Sequence, residues 1–117
     1  MRVLLIINDA PYGTEKAYNA LRLAMALQRE HDDVQVAIFL MADAVTCALP
    51  SQKTAQGYYN IQRMVQAVVK KGGEVKACGT CINARGLADL QLIEGVEVST
   101  MSRLAQWVVE SYRVLTF

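Results

Sequence analysis

The segment Cys78-Gly79-Thr80-Cys81 holds the residue types and spacing that carry chemistry in this chain. Two thiols three residues apart sit within one turn of backbone and can join as a disulfide where the local geometry permits. The short apolar stretch before them (EVKAC) predicts a strand, and a helix is expected beyond. A cysteine where a strand gives way to a helix meets free backbone N–H groups and the positive end of the helix dipole. Both favour the thiolate, which is the nucleophile. Lys76 and Arg85 add positive charge if their side chains turn inward. The candidate site therefore comprises Cys78 and Cys81 as reactive thiols, with Gly79, Thr80 and Arg85 stabilising an anion. Tyr12, Gly13 and Asp43, in loops at the ends of other strands, line it.

Other uses of these thiols are poorly supported by the rest of the sequence. A structural zinc site wants four ligands, and only Cys47 and His31 remain to complete one, so no metal is expected. Cys-Gly-x-Cys is shared with thioredoxin-type proteins, whose fold needs a cis-proline facing the thiols. No proline follows Pro50 here, and the strand order also differs. Dithiol chemistry on another fold stays open, and so does passive packing, since free cysteine is among the most buried residue types. Cys47 lies among Ala44, Val45, Ala48 and Leu49 and reads as a packing residue. His31, beside Asp32 and Asp33, reads as a solvated helix end. The loop Pro11-Tyr12-Gly13-Thr14-Glu15 stands where α/β proteins hold phosphates. A flavin site there would need several hydroxyl residues and two aromatic loops, and the loop offers Thr14 alone, so no cofactor is expected.

Alternating apolar runs and helical stripes position these residues. Arg2–Ile7 (RVLLII) reads as a strand buried on both faces. Thr14 is the expected cap of a helix with Ala17, Leu21, Ala24 and Gln28 on one face, widened by Leu27. Residues 34–40 (VQVAIFL) predict a second central strand. Residues 43–49 suggest a short helical stretch stopped by Pro50, and 51–57 a mobile polar loop. Tyr58, Ile61, Val65 and Val68 form a stripe for the next helix, ended by Gly72-Gly73. Then follow the strand ending at Cys78, a short helix over 83–90, a strand over 96–98, a helix capped by Ser99 or Thr100 through Leu104 and Trp107, and a strand over 113–117. This order predicts a five-stranded, mainly parallel sheet with helices on both faces, an α/β/α sandwich. Its working site would lie beyond the carboxyl ends of the strands.

The chain has 117 residues, enough for one domain spanning 1–117 and one core. Apolar residues make up 53% and charged residues 20%, which excludes a disordered tail. The net charge of +1, without a basic block, argues against nucleic acid as a partner. No apolar run approaches the roughly 20 residues that span a bilayer. Strand-like sequence from Arg2 predicts that no signal peptide precedes it, and three cysteines cannot all pair in one chain. A cytoplasmic protein is expected.

Several fragments, in order and spacing, resemble the DsrE/DsrF-like family of small sulfur-relay proteins, in its YchN-like branch. They are Asn8-Asp9-Ala10-Pro11-Tyr12-Gly13-Thr14-Glu15, Leu21-Arg22-Leu23-Ala24, Phe39-Leu40-Met41-Ala42-Asp43-Ala44-Val45-Thr46 and Gly57-Tyr58-Tyr59-Asn60-Ile61-Gln62. Cys78-Gly79-Thr80-Cys81, Arg85-Gly86 and Arg113-Val114-Leu115-Thr116-Phe117 complete the set. The resemblance implies a three-layer subunit assembled as a homotrimer or homohexamer. It also implies a persulfide-carrying cysteine eight residues before the glycine of an Arg-Gly pair, which here is Cys78 counted back from Gly86. Sulfur donor and acceptor proteins are the implied partners, and the activity would be that of a sulfurtransferase or persulfide carrier. Cys81 departs from relay subunits that have no thiol at that position, and a second thiol so close could resolve a persulfide into a disulfide. Surplus apolar residues on the helices, Tyr18, Met25, Ala26, Met64, Ala67 and Trp107, are the expected interface.

Overall fold

A computed structural model describes residues 1–117. Five strands, β1 (Arg2–Ile7), β2 (Gln35–Leu40), β3 (Glu74–Cys78), β4 (Val96–Ser99) and β5 (Arg113–Thr116), form one sheet in the order β4-β3-β2-β1-β5. All four pairings are parallel. Four α-helices, α1 (Lys16–Glu30), α2 (Ile61–Lys70), α3 (Gly79–Ala84) and α4 (Met101–Glu110), connect them, with a 3-10 helix over Ala42–Ala48.

The two central strands explain the apolar runs. In β1, Leu4, Leu5 and Ile7 are wholly buried, and in β2 Ile38, Phe39 and Leu40 are too, as a sheet covered on both faces requires. α1 and α2 pack side by side on one face, burying Ala17, Ala20, Leu21 and Ala24 from the first and Ile61, Val65 and Val68 from the second. α4 covers the other face, where Trp107 meets the edge of Phe39 with ring centroids 6.2 Å apart. The Arg2 guanidinium and the Lys76 ammonium lie over the same indole, each 5.5 Å from its centroid. The sheet is thus sandwiched as the alternating pattern predicts.

Several local expectations need correction. α1 begins at Lys16 with Glu15 at its cap position, so Thr14 does not cap it as expected. Thr14 Oγ1 instead accepts from the Lys16 N–H at 3.4 Å and donates to Asp9 at 3.0 Å, which folds the loop before the helix. Tyr58 lies outside α2 and is more than half exposed. Asn60, accepting from the Arg63 N–H at 3.1 Å, fixes that helix start instead. The short helix expected over 83–90 begins directly at Gly79 and ends at Ala84, so Cys81 sits inside it. Trp107, expected at an interface, is a core residue. Of the two offered caps for α4, Thr100 serves, accepting from the Arg103 N–H at 3.2 Å.

The loop after the 3-10 helix is tied down by one side chain rather than left loose. Gln52 Nε2 donates to the carbonyls of Cys47 at 3.1 Å and Leu49 at 2.8 Å. Its Oε1 accepts from the Tyr12 hydroxyl at 3.0 Å and from the Gln62 N–H at 3.1 Å. The strand order reverses between β1 and β5, and there Phe117 is stitched in: its N–H donates to the Ile6 carbonyl at 2.8 Å and its own carbonyl accepts from the Asn8 N–H at 3.0 Å.

Candidate functional site

β3 delivers Cys78 to the carboxyl end of the sheet, and the chain turns into α3 at the next residue. Cys78 is therefore the N-cap of that helix, and its Sγ accepts from the Cys81 N–H at 3.4 Å, as a serine oxygen would. Gly79 sits where a side chain would be crowded. A Cβ there would come within 3.1 Å of Val98 Cγ1 and 3.3 Å of the Ser99 carbonyl, so the start of α3 lies tight against β4.

Cys81 is held from two sides. Its Sγ accepts from the Ala42 N–H at 3.2 Å, and its own N–H donates to Cys78 Sγ at 3.4 Å. Ala42 opens the 3-10 helix with a φ of 50°, a left-handed conformation that aims this N–H across the strand ends. Burial, and next the hydrogen bond to Cys78, push the Cys81 thiol up from its ordinary value; the Ala42 N–H and the Arg85 charge pull against them. Cys78 Sγ is acceptor to the Cys81 backbone N–H.

Arg85 closes the arrangement. Its Nε and Nη2 each lie 2.9 Å from Asp43 Oδ1, and Nη1 donates to the Cys81 carbonyl at 3.1 Å. The Asp43–Arg85 pair clamps the 3-10 helix to α3, and so fixes Ala42 against Cys81. Lys76 is engaged elsewhere, paired with Glu97 at 3.2 Å beneath Trp107.

The remaining expected residues lie differently. Thr80 is exposed and its side chain forms no hydrogen bond within the chain. Tyr12 belongs to another cluster: its hydroxyl accepts from the Ile61 N–H at 3.0 Å and donates to Gln52, and its ring lies 5.7 Å from Tyr59. Tyr58, Tyr59 and Tyr18 continue that cluster as a stack with centroid spacings of 4.4 and 4.1 Å. Gly13, at φ 107°, makes the turn after Tyr12. Cys47, within the 3-10 helix, is wholly buried, and desolvation lifts its thiol to about 12.

Access to the thiols is restricted. Cys78 is 5% exposed, whereas Cys81 is partly open. None of the five principal cavities is lined by either. The largest, about 550 Å³, lies on the outer side of α1 and α2, among Tyr18, Arg22, Met25, Ala26 and Met64.

This strand-end dithiol, carried on a five-stranded parallel sheet, sits in a sequence that matches the DsrE/DsrF-like family over residues 1–117. The chain is a member of the DsrE/DsrF-like family. It is 44% identical to the protein YchN of Escherichia coli strain K12 over 116 residues, covering 99% of this chain and 98% of YchN. The protein MJ0989 of Methanocaldococcus jannaschii is 39% identical over 117 residues, the full length of both. The crystal structure of E. coli YchN superposes with a TM-score of 0.94 over 99% of this chain and 98% of that one. The structure of MTH1491 from Methanobacterium thermoautotrophicum, 17% identical, shares the fold with a TM-score of 0.80 over 99% of this chain and 98% of its own. No helix of this DsrE-like chain is long and apolar enough to cross a membrane.

Ala42 and Gln52 were not legible as site residues in the sequence. Ala42 acts through its backbone, and alanine gives no sign of a left-handed turn. Gln52 is one polar residue in a polar run until its four hydrogen bonds are seen.

Proposed function

We propose that this DsrE-like protein is a cytoplasmic sulfur-handling protein in which Cys78 accepts sulfane sulfur as a persulfide for transfer to a partner protein. One observation carries the reading: Cys78 Sγ caps a helix start, where it accepts from the Cys81 N–H at 3.4 Å and faces the open N–H groups of the first turn. Those donors would stabilise a thiolate before loading and a persulfide anion after it. The Asp43–Arg85 clamp would hold Cys81 in place throughout.

Incubation of the reduced protein with a sulfane donor, followed by intact-mass measurement, tests this. Wild type should gain sulfur or undergo thiol oxidation. Cys78→Ser should do neither, while Cys47→Ser should behave as wild type. No change with any of several donors would end the proposal.

The low exposure of Cys78 favours a second reading, a non-catalytic interaction module in which both thiols merely pack. Native alkylation at neutral pH separates the two. Thiols that stay unmodified until the protein unfolds belong to the module; modification at Cys78 or Cys81 in the native state belongs to the sulfur chemistry.

Under either reading we propose a homo-oligomer, a trimer or hexamer. Its support is the apolar surface left open on α4 and the edge strands, notably Val109 at 85% exposure with Met101, Tyr112 and Val98.

A further inference from the structure

Cys78 and Cys81 raise a question that a simple carrier leaves open. A carrier must present its outer sulfur to a thiol on another molecule. Cys78 is 5% exposed, so an incoming protein thiol has little room to approach its Sγ in line. A thiol already stands on the same helical turn of the same chain: Cys81, whose N–H donates to Cys78 Sγ at 3.4 Å. It is held there by three separate contacts: its own N–H on Cys78 Sγ, the Ala42 N–H on its sulfur, and Arg85 on its carbonyl. A cysteine at the N-cap and another at the third helical position place two sulfurs on one turn, a spacing that a disulfide spans.

We propose that Cys81 discharges the Cys78 persulfide within the chain, releasing the sulfane sulfur as hydrosulfide and leaving a Cys78–Cys81 disulfide. This rests on Cys78 being the sulfur acceptor, and it gives the loaded sulfur an exit as hydrosulfide where no partner protein takes it. In loading, the Cys78 thiolate attacks the outer sulfur of a small organic persulfide, and that donor leaves as its thiolate. In discharge, Cys81 attacks Cys78 Sγ as its proton passes to the departing sulfur. The bond from Cys78 Sγ to the sulfane sulfur breaks as the Cys78–Cys81 bond forms. The sulfane sulfur gains two electrons and the two cysteines lose them, so charge and protons balance. Two molecules of a low-molecular-weight thiol then reduce the disulfide and leave joined as their own disulfide. The protein is in this way a thiol-dependent reductase of sulfane sulfur. Burial raises the Cys81 thiol, which disfavours Cys81 as the first sulfur to be loaded.

The test uses reduced full-length protein under anaerobic conditions with one equivalent of glutathione persulfide, whose own leaving group is glutathione and not sulfide. Wild type should release one sulfide per chain, above a protein-free blank, and become two hydrogens lighter. Cys81→Ser should become one sulfur heavier and release no sulfide until an external thiol is added. Cys78→Ser should do neither. If wild type keeps the added sulfur and releases no sulfide, intramolecular discharge is wrong while Cys78 remains the acceptor. If Cys81→Ser takes up no sulfur, the acceptor role of Cys78 fails, and discharge falls with it. The wild-type sulfide and mass readings decide the matter even if a variant folds poorly.

Discussion

Three cysteines in one small protein meet three different environments, and their chemistry divides accordingly. Cys47 lies in hydrocarbon with the Asp9 carbonyl 3.8 Å away, and its thiol is lifted to about 12. In the unfolded chain a thiol titrates near its ordinary value of 9.0, so above that pH the unfolded state binds fewer protons than the folded one. The stabilisation is complete below pH 9 and is lost as pH rises toward 12. Denaturant midpoints should therefore fall across that interval, and the fall should be shallower in Cys47→Ala. Cys81 and Tyr59, also raised, push in the same direction and leave a residual slope. Arg85 acts on Cys81 with the opposite sign, since its charge draws the thiol down. In Arg85→Gln the alkylation profile of Cys81 should move to higher pH, read by mass after timed exposure to iodoacetamide. An unmoved profile would mean that the guanidinium serves only to clamp Asp43.

How firmly the site is built depends on short elements whose ends are fixed by single contacts. Thr100 caps α4 through the Arg103 N–H, and Thr100→Ala should lower stability by about 1 kcal/mol in denaturant unfolding. Gly95 joins the loop to β4 at φ 92°, and a Cβ there would lie 2.5 Å from Val69 Cγ1. Gly95→Ala therefore meets both backbone strain and overlap and should cost about 1–3 kcal/mol, with β4 and the start of α3 loosened behind it. Strands and long helices were legible because their burial repeats at a fixed period: RVLLII and QVAIFL announce central strands, and Ile61, Val65 and Val68 announce a helix. α3 was not, because six residues with one buried side chain present no period, and its placement at 83–90 missed the site's own helix. Tyr58 fell on the helical spacing by coincidence, since it closes a turn in which its N–H donates to the Ala55 carbonyl at 3.0 Å, and its ring stacks on Tyr59 instead. Cys78 at a strand end could be read from EVKAC, but the donor facing Cys81 comes from a segment 39 residues away in sequence.

The molecule as a whole is covered unequally. One face of the sheet carries two helices and the other only the ten residues of α4, which leaves β5 exposed along its length. That exposed surface should associate, so native mass in solution should exceed the 12.9 kDa of one chain. Val109→Asp, placed at the most open apolar position, should lower the mass toward that of one chain without reducing helix content. A wild-type mass of 12.9 kDa would remove the homo-oligomer from the proposal.

The register of the sheet has a bearing on how the protein is made. β1 lies between β2 and β5, and Val3 meets Val36 on one side but Arg113 on the other. During synthesis the first of these neighbours emerges early and the second almost last. Until then one flank of the most apolar strand offers its bare amides to any passing chain, the condition under which nascent parallel sheets aggregate. That flank, two strands away from the Cys78 turn, closes only when β5 has left the ribosome, so the protein is most adhesive just before its last strand docks.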